Sequence, residues 1–154
     1  MSEHSAIVRW QRDNADFARG RYSRAHEWRF DGGAVVAASA SPAVVRVPWS
    51  DPAGVDPEEA FVAAIASCHM LWFLSLAAER GFIVEHYEDD AVGTMGKIAN
   101  GHEAVTDVVL RPRIVFGGER TPDAKEIAAL HESAHERCFI ANSVRSTIRI
   151  EAQP

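Results

Sequence analysis

The chain has two cysteines, Cys68 and Cys138, and they are its best candidates for chemistry. Cys68 closes the run Asp56-Pro57-Glu58-Glu59-Ala60-Phe61-Val62-Ala63-Ala64-Ile65-Ala66-Ser67. Cys138 closes a His-rich segment just before Phe139-Ile140-Ala141-Asn142-Ser143. A thiol that serves only as a small core residue needs no polar setting. Two thiols far apart in sequence, each beside polar or charged residues, suggest a redox pair that folding brings together. A rival pattern lies close by. His131-Glu132-Ser133-Ala134-His135 satisfies the H-E-x-x-H spacing that puts two imidazoles on one helix face for zinc. Cys138, seven residues beyond His131, could join them. The pattern is short, its helix already has an apolar stripe, and a third ligand with a substrate cleft is not evident. The expected site therefore contains no metal and no cofactor, with a metal site on His131-Glu132-x-x-His135 kept as the less favoured alternative.

Size and charge narrow the classes. A chain of 154 residues can bury a core without disulfides or metal, so a single domain spanning 1–154 is expected and the cysteines are free for other work. The net charge of −6 and a pI near 5.6 disfavour nucleic acid, whose binding draws on clustered Lys and Arg. The longest basic excess, Arg19-Gly20-Arg21-Tyr22-Ser23-Arg24, is short and interrupted. Ser67, Cys68, His69 and Ser75 break the apolar stretch Phe61 to Ala78, so no membrane partner is expected. Met1-Ser2-Glu3-His4-Ser5 lacks a basic and apolar leader. A reducing cytoplasm is the expected compartment, where cysteine pairs are more often catalytic or metal-binding than structural.

The elements that must position the thiols follow from periodicity. Residues 17 to 30 alternate, with Tyr22, Arg24, His26, Trp28 and Phe30 on one face and Arg21 and Arg29 on the other, which predicts a strand. Asp31-Gly32-Gly33 predicts a hairpin turn, with sheet continuing over Ala34 to Ala40 and Ala43 to Val47. Asp56 as N-cap, Pro57 at the first helical position and Glu59 at the third predict a helix over 57–80, stopped by Gly81. Phe61, Ala64, Ile65, Cys68, Leu71, Trp72 and Ser75 form its expected inward stripe. Residues 82 to 99 read as a strand pair around Asp89-Asp90 and Gly93, and Val105 to Phe116 as one strand with Pro112 at an edge or bulge. Thr121-Pro122-Asp123 opens a second helix, with Ile127, Leu130, Ala134 and Cys138 on one stripe. A period-two segment from Val144 to Ala152 ends the chain. Segregated strands and helices in this order predict an α+β fold rather than a βαβ series.

The run from Asp56 through Cys68, the hairpin Phe30-Asp31-Gly32-Gly33, and the late helix ending at Cys138 with Ser143 nearby resemble the OsmC/Ohr family of osmotically inducible and organic-hydroperoxide-resistance peroxidases. The resemblance covers about Arg21 to Glu151. It implies antiparallel sheets packed on two long central helices, an intertwined homodimer with sites at the subunit interface, and thiol-dependent reduction of organic hydroperoxides. It also implies that Cys68 is the attacking and Cys138 the resolving cysteine, that Glu58 matches the glutamate ahead of the first cysteine, and that an N-terminal arginine serves the site. Arg24 is the chosen arginine because its alternation places it with Tyr22, Trp28 and Phe30. Phe139 stands where the family usually has proline after the second cysteine.

Peroxide reduction needs a thiolate, and a cysteine on an apolar helix face needs a cation to offset desolvation; Arg24 is the expected source. The same guanidinium would stabilise the departing alkoxide. An external dithiol would then return the disulfide to thiols. Glu58 lies roughly 15 Å from Cys68 along one straight helix, so it is expected to hold Arg24 or to serve the partner subunit's site. A binding class stays open: Tyr22, Trp28, Phe30, Phe61 and Trp72 could line an apolar pocket, in a protein that binds or senses a small molecule with little turnover.

Overall fold

The computed structural model describes residues 1–13 and 16–153. Its backbone forms two compact units, Met1–Ala60 and Phe61–Pro154.

The first unit is a three-stranded antiparallel sheet, ordered β1-β2-β3: β1 is Ala6–Arg9, β2 His26–Phe30 and β3 Val35–Ala38. The predicted Asp31-Gly32-Gly33 turn joins β2 to β3, closed by the Phe30 N–H on the Ala34 carbonyl at 3.0 Å. The predicted strand over 17–30 is confined to its last five residues. Phe17–Arg19 form a 3₁₀ turn that ends at Gly20, whose φ of 72° is a left-handed conformation no strand contains. The sheet predicted over Ala43 to Val47 is also absent, because Ser41 folds the chain back. Its carbonyl accepts from the Val44 and Val45 N–H groups and its Oγ from Ala43 N–H, a local turn that competes with a ladder. Ile7, Val8, Phe30 and Val35 of this sheet are exposed.

The helix α1, Pro57–Glu79, has the predicted capping box: Glu59 N–H donates to Asp56 Oδ1 at 2.8 Å, and Asp56 N–H to Glu59 Oε2 at 3.0 Å. Gly81, at φ 77°, ends it as expected. Its buried line is Ile65, His69, Phe73, Leu76 and Ala77, rotated from the predicted stripe. Ala64, Leu71 and Ser75 face solvent, with Leu71 62 % exposed, and Cys68 is half-buried between the two faces. The rotation went unseen because α1 is apolar on every side, so periodicity does not fix its phase. For the same reason α1 is, by length and composition alone, long and apolar enough to cross a membrane, contrary to the sequence expectation: four small or polar residues do not offset the surrounding Ala, Leu, Ile and Phe.

In the second unit, β4 (Ile83–Asp89) pairs with β7 (Pro112–Gly117), and β5 (Val92–Lys97), β6 (Glu103–Leu110) and β8 (Thr147–Ile150) form a sheet in the order β5-β6-β8. The predicted pair within 82–99 thus consists of two strands that belong to different sheets. The strand predicted over Val105 to Phe116 is two strands. Arg111 turns between them, its N–H held by Asp89 Oδ1 at 2.6 Å, and Pro112, which has no N–H for a ladder, starts the second. β8 runs parallel to β6, while the other pairs are antiparallel. The helix α2, Ala124–Arg137, starts at the predicted Asp123 with a second capping box to Glu126.

Two cores fill this unit. Ile65 packs with Val108 and Leu110 against the β5-β6-β8 sheet, while Phe73, Leu76 and Ala77 pack with Phe82, Leu130 and Ala134 against the β4-β7 ribbon. Cys68 and His69 fall on α1 between the residues that serve the two cores.

Candidate functional site

The helix that presents Cys68 is anchored at both ends, so the thiol has a fixed place on the edge of a buried line. Cys138 is set differently. It is the C-cap of α2, with φ −66° and ψ 111°, where the chain leaves the helix for the 3₁₀ turn Ala141–Ser143. That turn points the Ala141 N–H at Cys138 Sγ (3.3 Å) and the Asn142 N–H at the Cys138 carbonyl (3.0 Å). Cys138 is fully buried. Its thiol neighbours that of Cys68, 70 positions earlier, and both cysteines are free. Burial first, then the Cys68 thiol, push the Cys138 pKa up to about 11 from 9.0, against a smaller opposing pull from the Ala141 N–H. Cys138 is therefore a thiol at neutral pH, able to donate its S–H toward the Cys68 sulfur.

Aromatic rings repeat this contact one turn away. Trp72, four residues after Cys68, meets the ring of Phe139 edge-on at 5.6 Å, and the Arg137 guanidinium lies 5.7 Å from the Trp72 ring. Phe139 itself is 71 % exposed. Arg137 is a cation next to Cys138 in sequence that the sequence reading, which looks to the N-terminal arginines, does not single out.

Arg24 and Glu58 belong to the first unit. Arg24 Nη1 donates to the carbonyls of Gly20 (2.9 Å) and Tyr22 (2.6 Å), with its guanidinium carbon 3.7 Å from the Tyr22 ring centroid. His26 braces the same stretch. Trp28 Nε1–H donates to His26 Nε2 at 3.0 Å, which leaves Nδ1 as the donor to the Arg24 carbonyl at 2.7 Å. Glu58 is half-buried in the first turn of α1. Among the described residues no hydrogen bond or ion pair joins Glu58 to Arg24, so the expected clamp is not formed within this unit.

An open groove of about 450 Å³ borders Arg24, lined by Val8, Trp10, Phe17, Tyr22, His26 and Pro57. Trp10, Phe17 and Tyr22 stack or cross edge-on with centroids 4.5 to 5.7 Å apart. Of the aromatic residues proposed for an apolar pocket, only Tyr22 lines this groove. Phe61 and Trp72 pack at the edges of the second unit's cores instead.

The H-E-x-x-H pattern does not converge. His131 turns inward and is bonded through Nδ1 to His69 Nε2 at 3.0 Å, while Cys138 turns to Cys68. Among the described residues no group of three His, Cys, Asp or Glu side chains is placed to hold a metal. Burial lowers the pKa of each histidine of the pair to about 4, and for His69 the neighbouring His131 and His135 add to the effect. The pairing was invisible in the sequence because the partners are 62 residues apart.

The family model of OsmC-like proteins matches residues 50–153, a span that contains both cysteines, both helices and both sheets of the second unit. The chain belongs to the OsmC-like family. An OsmC-like protein of unknown function from Vibrio cholerae is 55 % identical, with 99 % of this chain and 100 % of that one covered and a TM-score of 0.97. The organic hydroperoxide resistance protein OhrB of Bacillus subtilis is 18 % identical over 99 % of this chain and 98 % of its own, at a TM-score of 0.68. An organic hydroperoxide resistance protein OsmC from Legionella pneumophila is 16 % identical over 99 % and 97 %, at 0.67. The last two share the α+β OsmC-like fold. None of the curated proteins matches the chain.

Proposed function

We propose that this OsmC-like protein is a thiol-dependent peroxidase that reduces organic hydroperoxides, acting as a homodimer in a reducing cytoplasm. The observation that carries the reading is the Cys68–Cys138 thiol contact, made between a half-buried and a fully buried cysteine. Exposure divides the roles. Cys68 is the thiol a peroxide can reach, and Cys138 is held protonated behind it.

In the proposed cycle the Cys68 thiolate attacks one peroxide oxygen and the O–O bond breaks. The alkoxide leaves and takes a proton to become an alcohol, with Cys68 oxidised to sulfenic acid. Cys138 sulfur then attacks the Cys68 sulfur; hydroxide leaves with the Cys138 proton as water, and a disulfide forms. A dithiol reductant returns both thiols by exchange. Arg24 is assigned the cation that favours thiolate and alkoxide, supported by its fixed pose in an apolar groove suited to the organic part of a substrate. Glu58, which makes no bond to Arg24 among the described residues, is assigned to the partner subunit's site. The exposed face of α1, with Leu71 62 % exposed, supports a second copy as its cover, because an apolar helix face of this length calls for burial.

Thiol counting by mass spectrometry after one equivalent of an alkyl hydroperoxide tests the reading. The unsubstituted protein should lose two thiols, and Cys138→Ser should trap a Cys68 sulfenic acid. Unreacted thiols in both would sink the peroxidase and leave small-molecule binding in the Trp10, Phe17 and Tyr22 groove as the function.

A further inference from the structure

The two cysteines lie on different helical segments, and among the described residues one side-chain hydrogen bond joins α1 to α2: His69 Nε2 to His131 Nδ1, 3.0 Å. His69 directly follows Cys68, and His131 lies seven residues before Cys138. We infer that His69 and His131 are positioning residues for the Cys68–Cys138 pair, their bond fixing how the end of α2 meets α1 and hence how readily the two sulfurs join. The inference rests on the thiols being a redox pair.

Geometry supports it first. The imidazole contact and the thiol contact touch α1 at adjacent residues but are offset along α2 by roughly 10 Å, about two turns. Either contact alone would leave α2 free to pivot about it. Both together fix slide and crossing angle. A disulfide needs that restriction, since its Cα atoms must come within about 7 Å with their Cβ atoms turned toward each other.

The makeup of the pair supports it second. His69 is 1 % exposed and His131 5 %, and their outer nitrogens, His69 Nδ1 and His131 Nε2, have no partner among the described residues. Two neutral imidazoles share a single N–H across the bond, so one outer nitrogen is a buried donor and the other a buried acceptor, both unmatched. That is costly, and the surroundings would accept an apolar pair. The Phe73 ring lies 4.5 Å from that of His131, and Leu130 and Ala134 are fully buried on the same helix. Apolar contacts carry no direction, whereas a hydrogen bond weakens steeply off its axis. What the histidines add over a cheaper apolar pair is direction.

The test measures the equilibrium between the Cys68–Cys138 disulfide and glutathione. One glutathione disulfide is reduced to two thiols as Cys68 and Cys138 are oxidised, through a mixed disulfide that the second cysteine resolves. A glutamine amide reaches the place of Nε2 and an asparagine amide that of Nδ1. His69→Gln and His131→Asn should therefore hold the equilibrium near that of the unsubstituted protein. His69→Asn, His131→Gln and His69→Phe should each lower it about tenfold or more, roughly what loss of one buried hydrogen bond costs. Urea unfolding of the reduced forms identifies any variant that is not folded. If His69→Phe does not fold, the paired Gln and Asn variants, which differ only in where the amide sits, decide the matter. An equilibrium that is the same in both members of each pair, or a protein that forms no such disulfide, overturns the inference. Because glutathione replaces peroxide, loss of peroxidase activity alone leaves it standing, and peroxidase activity with no histidine dependence defeats it alone.

Discussion

α1 and α2 begin alike and end up serving different ends. Each opens on an aspartate capping box, Asp56 with Glu59 and Asp123 with Glu126, so the local chemistry that starts them is the same. α2 is amphipathic and buries one stripe, Leu130, His131 and Ala134, within its own chain. α1 is apolar all round, yet its buried residues follow a single line and Leu71 lies open. One helix is satisfied by its own chain and the other is not. Cys68, the thiol proposed to react, rides on the unsatisfied helix, and the fully buried Cys138 ends the satisfied one.

Acid should break the comparison most severely, because the helices meet at His69 and His131. Each histidine's pKa is about 4 in the folded protein against 6.5 for the free side chain, so the unfolded chain binds protons first as pH falls. Stability should fall from about pH 6.5 and level off near pH 4, by on the order of 3 kcal/mol per histidine. Urea midpoints across that range, compared with His69→Phe/His131→Phe, measure the share owed to the pair; identical slopes would reject it.

Next in size is the contrast in packing. Leu130→Ala should cost about 2–5 kcal/mol in chemical denaturation, as fully buried leucines do. Leu71→Glu should leave the folded chain nearly as stable while weakening self-association in sedimentation. Equal loss of stability in the two variants would place Leu71 in the chain's own core. The smallest effect sharpens the likeness of the two helices. Asp56→Ala and Asp123→Ala should each cost about 1 kcal/mol, since each removes one side-chain cap. Thermal melts showing a much larger loss for Asp56 would mean that the start of α1 carries more than its cap.

The particular elements show why some features were legible. Both capping boxes, the Asp31-Gly32-Gly33 turn and the alternation ending in β8 are local: the residues that act lie within a few positions of one another. The errors share the opposite property. Residues 17 to 25 alternate like a strand, but Gly20 and the Ser41 turn depend on backbone conformations and hydrogen bonds that alternation does not encode. β6 and β7 read as one strand because the change of sheet at Arg111 is set by Asp89, 22 residues away. Cys68 and Cys138 were recognisable as candidates by type and setting, whereas Arg137 beside Trp72 and the His69–His131 bond are contacts between separate elements.

By itself the sequence determined where the helices start and stop, the α+β class, the resemblance to OsmC-like proteins and the identity of the two thiols, because short-range backbone and capping energetics settle such things. Tertiary structure decided which face of α1 is buried, which thiol is fully buried, and that His131 turns to His69. An all-apolar helix has no preferred phase until sheets and a second helix pack on it, and a pKa of about 11 at Cys138 exists only once Cys68 and the surrounding core have closed over it.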